Sequence, residues 1–112
     1  MGTPYSRGYS FERRVRGVLQ DQGWVTFRAA GSRGPVDLVA LKAGEVLLAQ
    51  VKVDGLLSPR EREDLFLLSR ELQVRVVVAY RQERDLKWLM VMGPERLDPV
   101  EMVPEKKRKE KG

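Results

Sequence analysis

The stretch Val36-Asp37-Leu38-Val39-Ala40-Leu41-Lys42-Ala43-Gly44-Glu45-Val46-Leu47-Leu48-Ala49-Gln50-Val51-Lys52-Val53 decides the fold. It reads as two strands, residues 36–41 and 45–53, joined by an Ala43-Gly44 turn. Side chains alternate across a strand, so Gln50 and Lys52 share a face, with Val46 and Leu48 before them. Leu47, Ala49, Val51 and Val53 fill the other face. A two-residue turn pairs Leu41 with Val46 and Asp37 with Gln50. Directly opposed residues hold their Cβ atoms about 5 Å apart, so a carboxylate, an amide and an ammonium converge on one patch. A slip of one residue would turn Asp37 to the wrong side.

Working outward toward the N-terminus, residues 24–30 alternate around Thr26 and Arg28 and form a further strand. Residues 31–35, Gly-Ser-Arg-Gly-Pro, are a loop. Residues 9–22 form a helix with Phe11, Val15, Val18 and Leu19 on one stripe, Ser10 as N-cap and Gly23 as the stop. Glu12 falls on the flank of that stripe. Residues 1–8 are expected to be an arm carrying Arg7.

Toward the C-terminus, residues 54–57 are a loop, and Ser58-Pro59-Arg60-Glu61 opens a second helix with a capping box that runs to about Leu72. Phe66 and Leu67 widen its apolar stripe, which fits either a partner surface or a well-covered core helix. Residues 74–80, nearly all β-branched, suit a strand covered on both faces, and residues 86–92 form another. Residues 93–104, with Pro94, Pro99 and Pro104, read as irregular. The expected fold is α/β (α+β mixed): one domain over residues 1–104, in the order α-β-β-β-α-β-β, with a central mixed sheet of about five strands and flanking helices. Residues 105–112, EKKRKEKG, form a charged tail expected to be disordered.

Composition narrows the chemistry. The 112 residues carry a net charge of +5, which favours a polyanionic partner, nucleic acid first. With no cysteine and no histidine, disulfides, thiolate zinc, Ser-His triads and histidine bases are all excluded. Carboxylates, Lys, Arg and hydroxyls remain. No apolar run reaches the ~20 residues of a membrane span, so no membrane partner and a cytoplasmic location are expected.

The patch at Asp37, Gln50 and Lys52 suits phosphodiester hydrolysis. Mg²⁺ takes hard oxygen ligands and keeps several waters, so one or two carboxylates suffice. A metal so held supplies a nucleophilic water and neutralises the phosphate. A neighbouring lysine orients the water or stabilises developing charge. On spacing alone, a solvated strand face with Lys52 paired to Asp37 or Asp54 explains the same residues.

The motif series decides between these readings. Gly8-x-x-Phe11-Glu12-Arg13, then Gly23-Trp24-Val25, Arg28-Ala29-Ala30-Gly31-Ser32, Val36-Asp37-Leu38-Val39-Ala40 and Gln50-Val51-Lys52 occur in order over residues 5–53. The series resembles the archaeal-type Holliday junction resolvases of the PD-(D/E)xK nuclease superfamily. The resemblance implies a restriction-endonuclease-like fold and a homodimer. Each of its two sites would nick one strand of a four-way DNA junction, using Mg²⁺ (or Mn²⁺ in its place) and no small-molecule cofactor. It implies Glu12, Asp37, Gln50 and Lys52 as the catalytic set. The metal would sit on Asp37, Gln50, Glu12 and the Val51 backbone carbonyl. Arg7, Arg13, Arg14, Arg28, Ser32 and Arg33 are expected at DNA.

Two departures stand out. The family pattern has Glu where this chain has Gln50, and an amide oxygen ligates Mg²⁺ without adding negative charge. Gly34-Pro35 alters the spacing of Ser32 from Asp37. The competing functions are a related nuclease cutting duplex or flap DNA, a catalytically silent junction-binding dimer, and a basic structural subunit.

Overall fold

The computed structural model describes residues 4–29, 35–53 and 57–102, with the side chains of residues 4–8 outside that set. Helix α1 (Pro4–Asp21) is followed by β1 (Val25–Arg28), β2 (Leu38–Lys42) and β3 (Glu45–Lys52). Helix α2 (Pro59–Leu72), β4 (Arg75–Gln82), β5 (Asp85–Gly93) and β6 (Arg96–Val100) complete the chain. The strands form one six-stranded sheet in sequence order. Only β3 and β4 run parallel, and α2 makes the crossover between them. Every other neighbouring pair is antiparallel.

The sheet has an apolar layer on each face. On one face, Phe11, Val15 and Leu19 of α1 pack with Trp24, Leu38, Ala40, Leu47, Ala49, Val77, Ala79 and Trp88. On the other, Leu65 of α2 packs with Leu48, Leu57, Val76, Val78 and Val91. Strand β4 therefore sends alternate side chains into both layers, which is why its sequence is almost continuously apolar. Both tryptophans belong to the α1-side layer.

The β2–β3 hairpin has the expected two-residue turn, with Leu41 opposite Val46 and Lys42 opposite Glu45. Gly44 takes a positive φ of 73°, a conformation that favours glycine. Leu47, Ala49, Val51 and Val53 all belong to the α1-side layer, leaving Gln50 and Lys52 toward α2. The capping box is present: the Glu61 amide donates to Ser58 Oγ at 3.1 Å, and the Ser58 amide donates to Glu61 Oε1 at 2.8 Å.

The structure corrects three expectations. Ser10, expected as an N-cap, lies inside α1. Residues 4–8 are not an arm, because the helix begins at Pro4 and runs through Gly8. Proline suits a first helical turn, where its missing N–H is not needed. Residues 93–104 are not wholly irregular, because β6 pairs with β5 across a Pro94-Glu95 turn, giving six strands rather than five. Pro99 is tolerated because β6 is an edge strand and one row of its backbone groups has no ladder partner. Among the described residues no helix is long and apolar enough to cross a membrane.

Candidate active site

The chemistry-bearing residues meet at one end of the sheet, where β2 begins and β3 ends. Asp37 lies just before β2. The ladder itself stops at Leu38 opposite Ala49, one pair short of the expected Asp37–Gln50 partnership. Asp37 is fixed in another way. Its amide donates to the Ala49 carbonyl at 2.8 Å, and its Oδ2 accepts from the Val51 amide at 2.8 Å. The residue thus brackets Gln50, held on both sides by the backbone of β3. The correction to the register is local: one carboxylate–amide bond takes the place of the last ladder step.

Asp37 is half-buried, and its carboxyl is pushed above its ordinary value. Desolvation is the largest cause; the Val51 amide opposes it, and the Glu12 charge adds to it. Lys52 and Arg28 pull in the opposite direction. These four charged groups therefore share one electrostatic neighbourhood.

Glu12 approaches from α1, on the opposite face of the sheet from Gln50 and Lys52. Its Oε2 accepts from Arg28 Nε, so β1 fixes its direction. Arg28 also lies 5.2 Å from the centre of the Tyr9 ring, and Arg13 lies 6.0 Å from it. Arg14 donates to the Arg84 carbonyl in the β4–β5 turn at 3.0 Å. That turn follows the end of β4, beside the end of β3. Arg13, Arg14 and Arg28 are therefore distributed around the same sheet end. Arg7 lies on α1, while its side chain, Ser32 and Arg33 fall outside the described residues, as does the charged tail.

Lys52 is not paired to Asp37. Its Nζ donates to Glu61 Oε2 at 3.0 Å. Glu61 thus serves two groups, the N-cap of α2 and this ammonium. Together they hold its carboxyl below the ordinary value, with the Ser58 amide as the larger cause. In the sequence Glu61 is legible only as a helix-capping residue. The 3.6-residue period and the cap motif say nothing about which strand end the helix starts beside.

The donor set fits a hard divalent cation. Asp37, Glu12, the Gln50 amide and the Val51 carbonyl offer only oxygen, and no thiol or imidazole exists in the chain to favour a softer metal. The Gln50 side chain makes no hydrogen bond among the described residues, and Asp37 retains Oδ1. Among the described residues no group of three or more Asp, Glu, His or Cys surrounds a single point. With glutamine at position 50, Asp37 and Glu12 are the two acids of this donor set.

Comparison with known proteins resolves the family. The profile of the archaeal Holliday junction resolvases (Hjc) matches residues 3–104. The chain belongs to this family. A crossover junction endodeoxyribonuclease Hjc from Methanocaldococcus jannaschii is 46% identical over 51 residues, spanning 46% of this chain and 38% of that relative's length. The solved structure of Hjc from Archaeoglobus fulgidus, described as a Holliday junction resolvase from an archaeal hyperthermophile, is 27% identical. It superposes with a TM-score of 0.65 over 87% of this chain and 85% of the other. The structural match bears out the expected mixed fold, while the sheet has six strands where about five were expected.

Proposed function

We propose that this protein is a structure-specific endodeoxyribonuclease that resolves four-way DNA junctions by paired, metal-dependent nicks. The observation that carries the reading is Asp37, clamped by the backbone of β3 and flanked by the charges of Glu12, Lys52 and Arg28. Asp37, Glu12, Gln50 and the Val51 carbonyl would hold Mg²⁺, or Mn²⁺ in its place. When bound, such an ion lowers the pKa of a water and neutralises phosphate charge.

The side chains supply the rest. Lys52 has three N–H donors, and its bond to Glu61 leaves two for a phosphate oxygen or the attacking water. Arg28 bonds Glu12 while its guanidinium carbon lies 5.2 Å from the centre of the Tyr9 ring. Arg13 and Arg14, with Arg7, Ser32 and Arg33, would bind phosphates, which positions DNA without reading sequence. Readout of shape rather than base is what a junction requires. Such an enzyme would work in the compartment that holds the chromosome, which is compatible with the cytoplasm.

A homodimer accounts for the paired nicks. Its support is an apolar strip left uncovered on the sheet: Val25 opposite Leu41 and Leu41 opposite Val46, with Phe27 beside them 52% exposed.

The test is cleavage of a labelled four-way junction and a matched duplex, with Mg²⁺ and with EDTA. Symmetric nicks on the junction alone, abolished by EDTA, are expected. Cleavage of both substrates would indicate a duplex-cutting relative. Tight junction binding without nicks would indicate a silent binder. Position 50 gives a second check: Gln50→Glu supplies a third acid, and Mg²⁺ titration of cleavage is expected to saturate at roughly tenfold lower metal, since one more anionic ligand tightens a hard-cation site. An unchanged or higher Mg²⁺ requirement in Gln50→Glu would remove Gln50 from the ligand set.

A further inference from the structure

Glu61 lies outside the residues that the family motif brings to the site, yet it touches the lysine on which cleavage depends. Its two carboxylate oxygens are divided. Oε1 accepts the Ser58 amide at the start of α2, and Oε2 accepts Lys52 Nζ. Lysine is a compact charge on a flexible four-carbon stem. At the end of a strand, such a side chain samples many rotamers. A partner held rigidly at the far side removes that freedom before substrate arrives, which lowers the cost of reaching the transition state.

The partner here is rigid for a structural reason. Glu61 is locked into the helix cap by reciprocal hydrogen bonds, and Pro59 fixes the backbone of the first turn. The Lys52 and Glu61 side chains are 24% and 38% exposed, so the ion pair contributes little to stability. A bond of small stabilising value that fixes the direction of one reactive side chain is a positioning contact.

We propose that Glu61 is the positioning residue of the active site, aiming Lys52 at the scissile phosphate from the N-terminus of α2. The capping box thereby couples the crossover helix to the chemistry. Removal of the Glu61 charge while the cap is kept should cost catalysis. Loss of the cap while the charge is kept should cost stability.

The inference rests on the nuclease reading, and the experiment separates the two. Wild type, Glu61→Gln and Ser58→Ala are compared in single-turnover junction cleavage, in junction affinity measured in EDTA, and in thermal unfolding. Glutamine serves in a capping box as glutamate does. Glu61→Gln is expected to cleave roughly tenfold more slowly, the usual order for loss of a supporting partner, with affinity within about twofold of wild type and little change in Tm. Ser58→Ala removes the Oγ acceptor but keeps the Ser58 amide that holds Glu61 Oε1, so it is expected to lower Tm and to slow cleavage far less than Glu61→Gln does. A Glu61→Gln rate equal to wild type overturns the proposal. So does a rate loss in Ser58→Ala as large as in Glu61→Gln, because Glu61 would then act only through the helix. If wild type itself does not cleave, the nuclease reading falls and takes this inference with it.

Discussion

Asp37→Asn is expected to slow junction cleavage by about 10³-fold and to leave the fold at least as stable as wild type. The rate loss follows from removing the one acid that both the backbone of β3 and the charges around it fix in place. In the proposed role Asp37 helps hold a metal ion that would supply several kcal/mol of transition-state stabilisation, and each 1.36 kcal/mol is a factor of ten in rate. Asparagine keeps an oxygen to accept the Val51 amide, so the local geometry survives. Stability moves the other way because the Asp37 carboxyl lies above its ordinary value of 3.8, through desolvation first and Glu12 second among the raising causes. For a group whose folded pKa is raised, the stabilising contribution is complete below the unfolded value and is lost as pH rises through the folded one. At neutral pH and without metal, ionised Asp37 is therefore a cost that asparagine does not carry. Thermal unfolding in EDTA should show the Tm advantage of Asp37→Asn growing as pH rises from about 3.8. A lower Tm for Asp37→Asn at neutral pH would mean that the carboxylate is part of the scaffold instead. A site that destabilises its own scaffold is the pattern of a functional position.

That pattern explains what was legible beforehand. The β2–β3 hairpin could be read because its turn, its alternation and its burial all agree, as do the cap of α2 and the two-sided burial of β4. Asp37 and Gln50 were legible as neighbours, though not as the bracket they form, because the last ladder step gives way to a side-chain bond that residue types do not encode. The start of α1 was hidden by Pro4 and Gly8, both of which read as loop residues without the helix around them. Strand β6 was hidden by Pro99, which is excluded from central strands but allowed at an edge, and edge status is a property of the whole sheet. Glu61 was hidden for a related reason. Its local role as a cap is complete in itself, and only the crossover that places α2 beside the end of β3 gives it a second one. Contacts within one element or across a tight turn were readable, and contacts set by a longer path between elements were not.

The contrast between Lys52→Met and Lys52→Arg follows from the same geometry. Lys52→Met is expected to reduce the cleavage rate by about 10²–10³-fold, the scale for deleting one positioned donor at developing charge. Binding of the junction in EDTA should change far less, since in the proposed reading the surrounding arginines would carry the phosphate contacts. A second effect distinguishes an active-site charge from a merely exposed one. Lys52 lowers the Asp37 pKa, so its loss raises that pKa further. The acid limb of the rate–pH profile of the residual Lys52→Met activity should therefore lie at higher pH than in wild type. Lys52→Arg keeps the charge and should keep the position of that limb. It should not restore the rate, because a planar guanidinium cannot present the ammonium's donors to Glu61 and a phosphate oxygen in the same geometry. Recovery of both by arginine would reduce Lys52 to a source of positive potential. Recovery of the limb without the rate would make direction, not charge alone, the property that β3 and the start of α2 are built to supply.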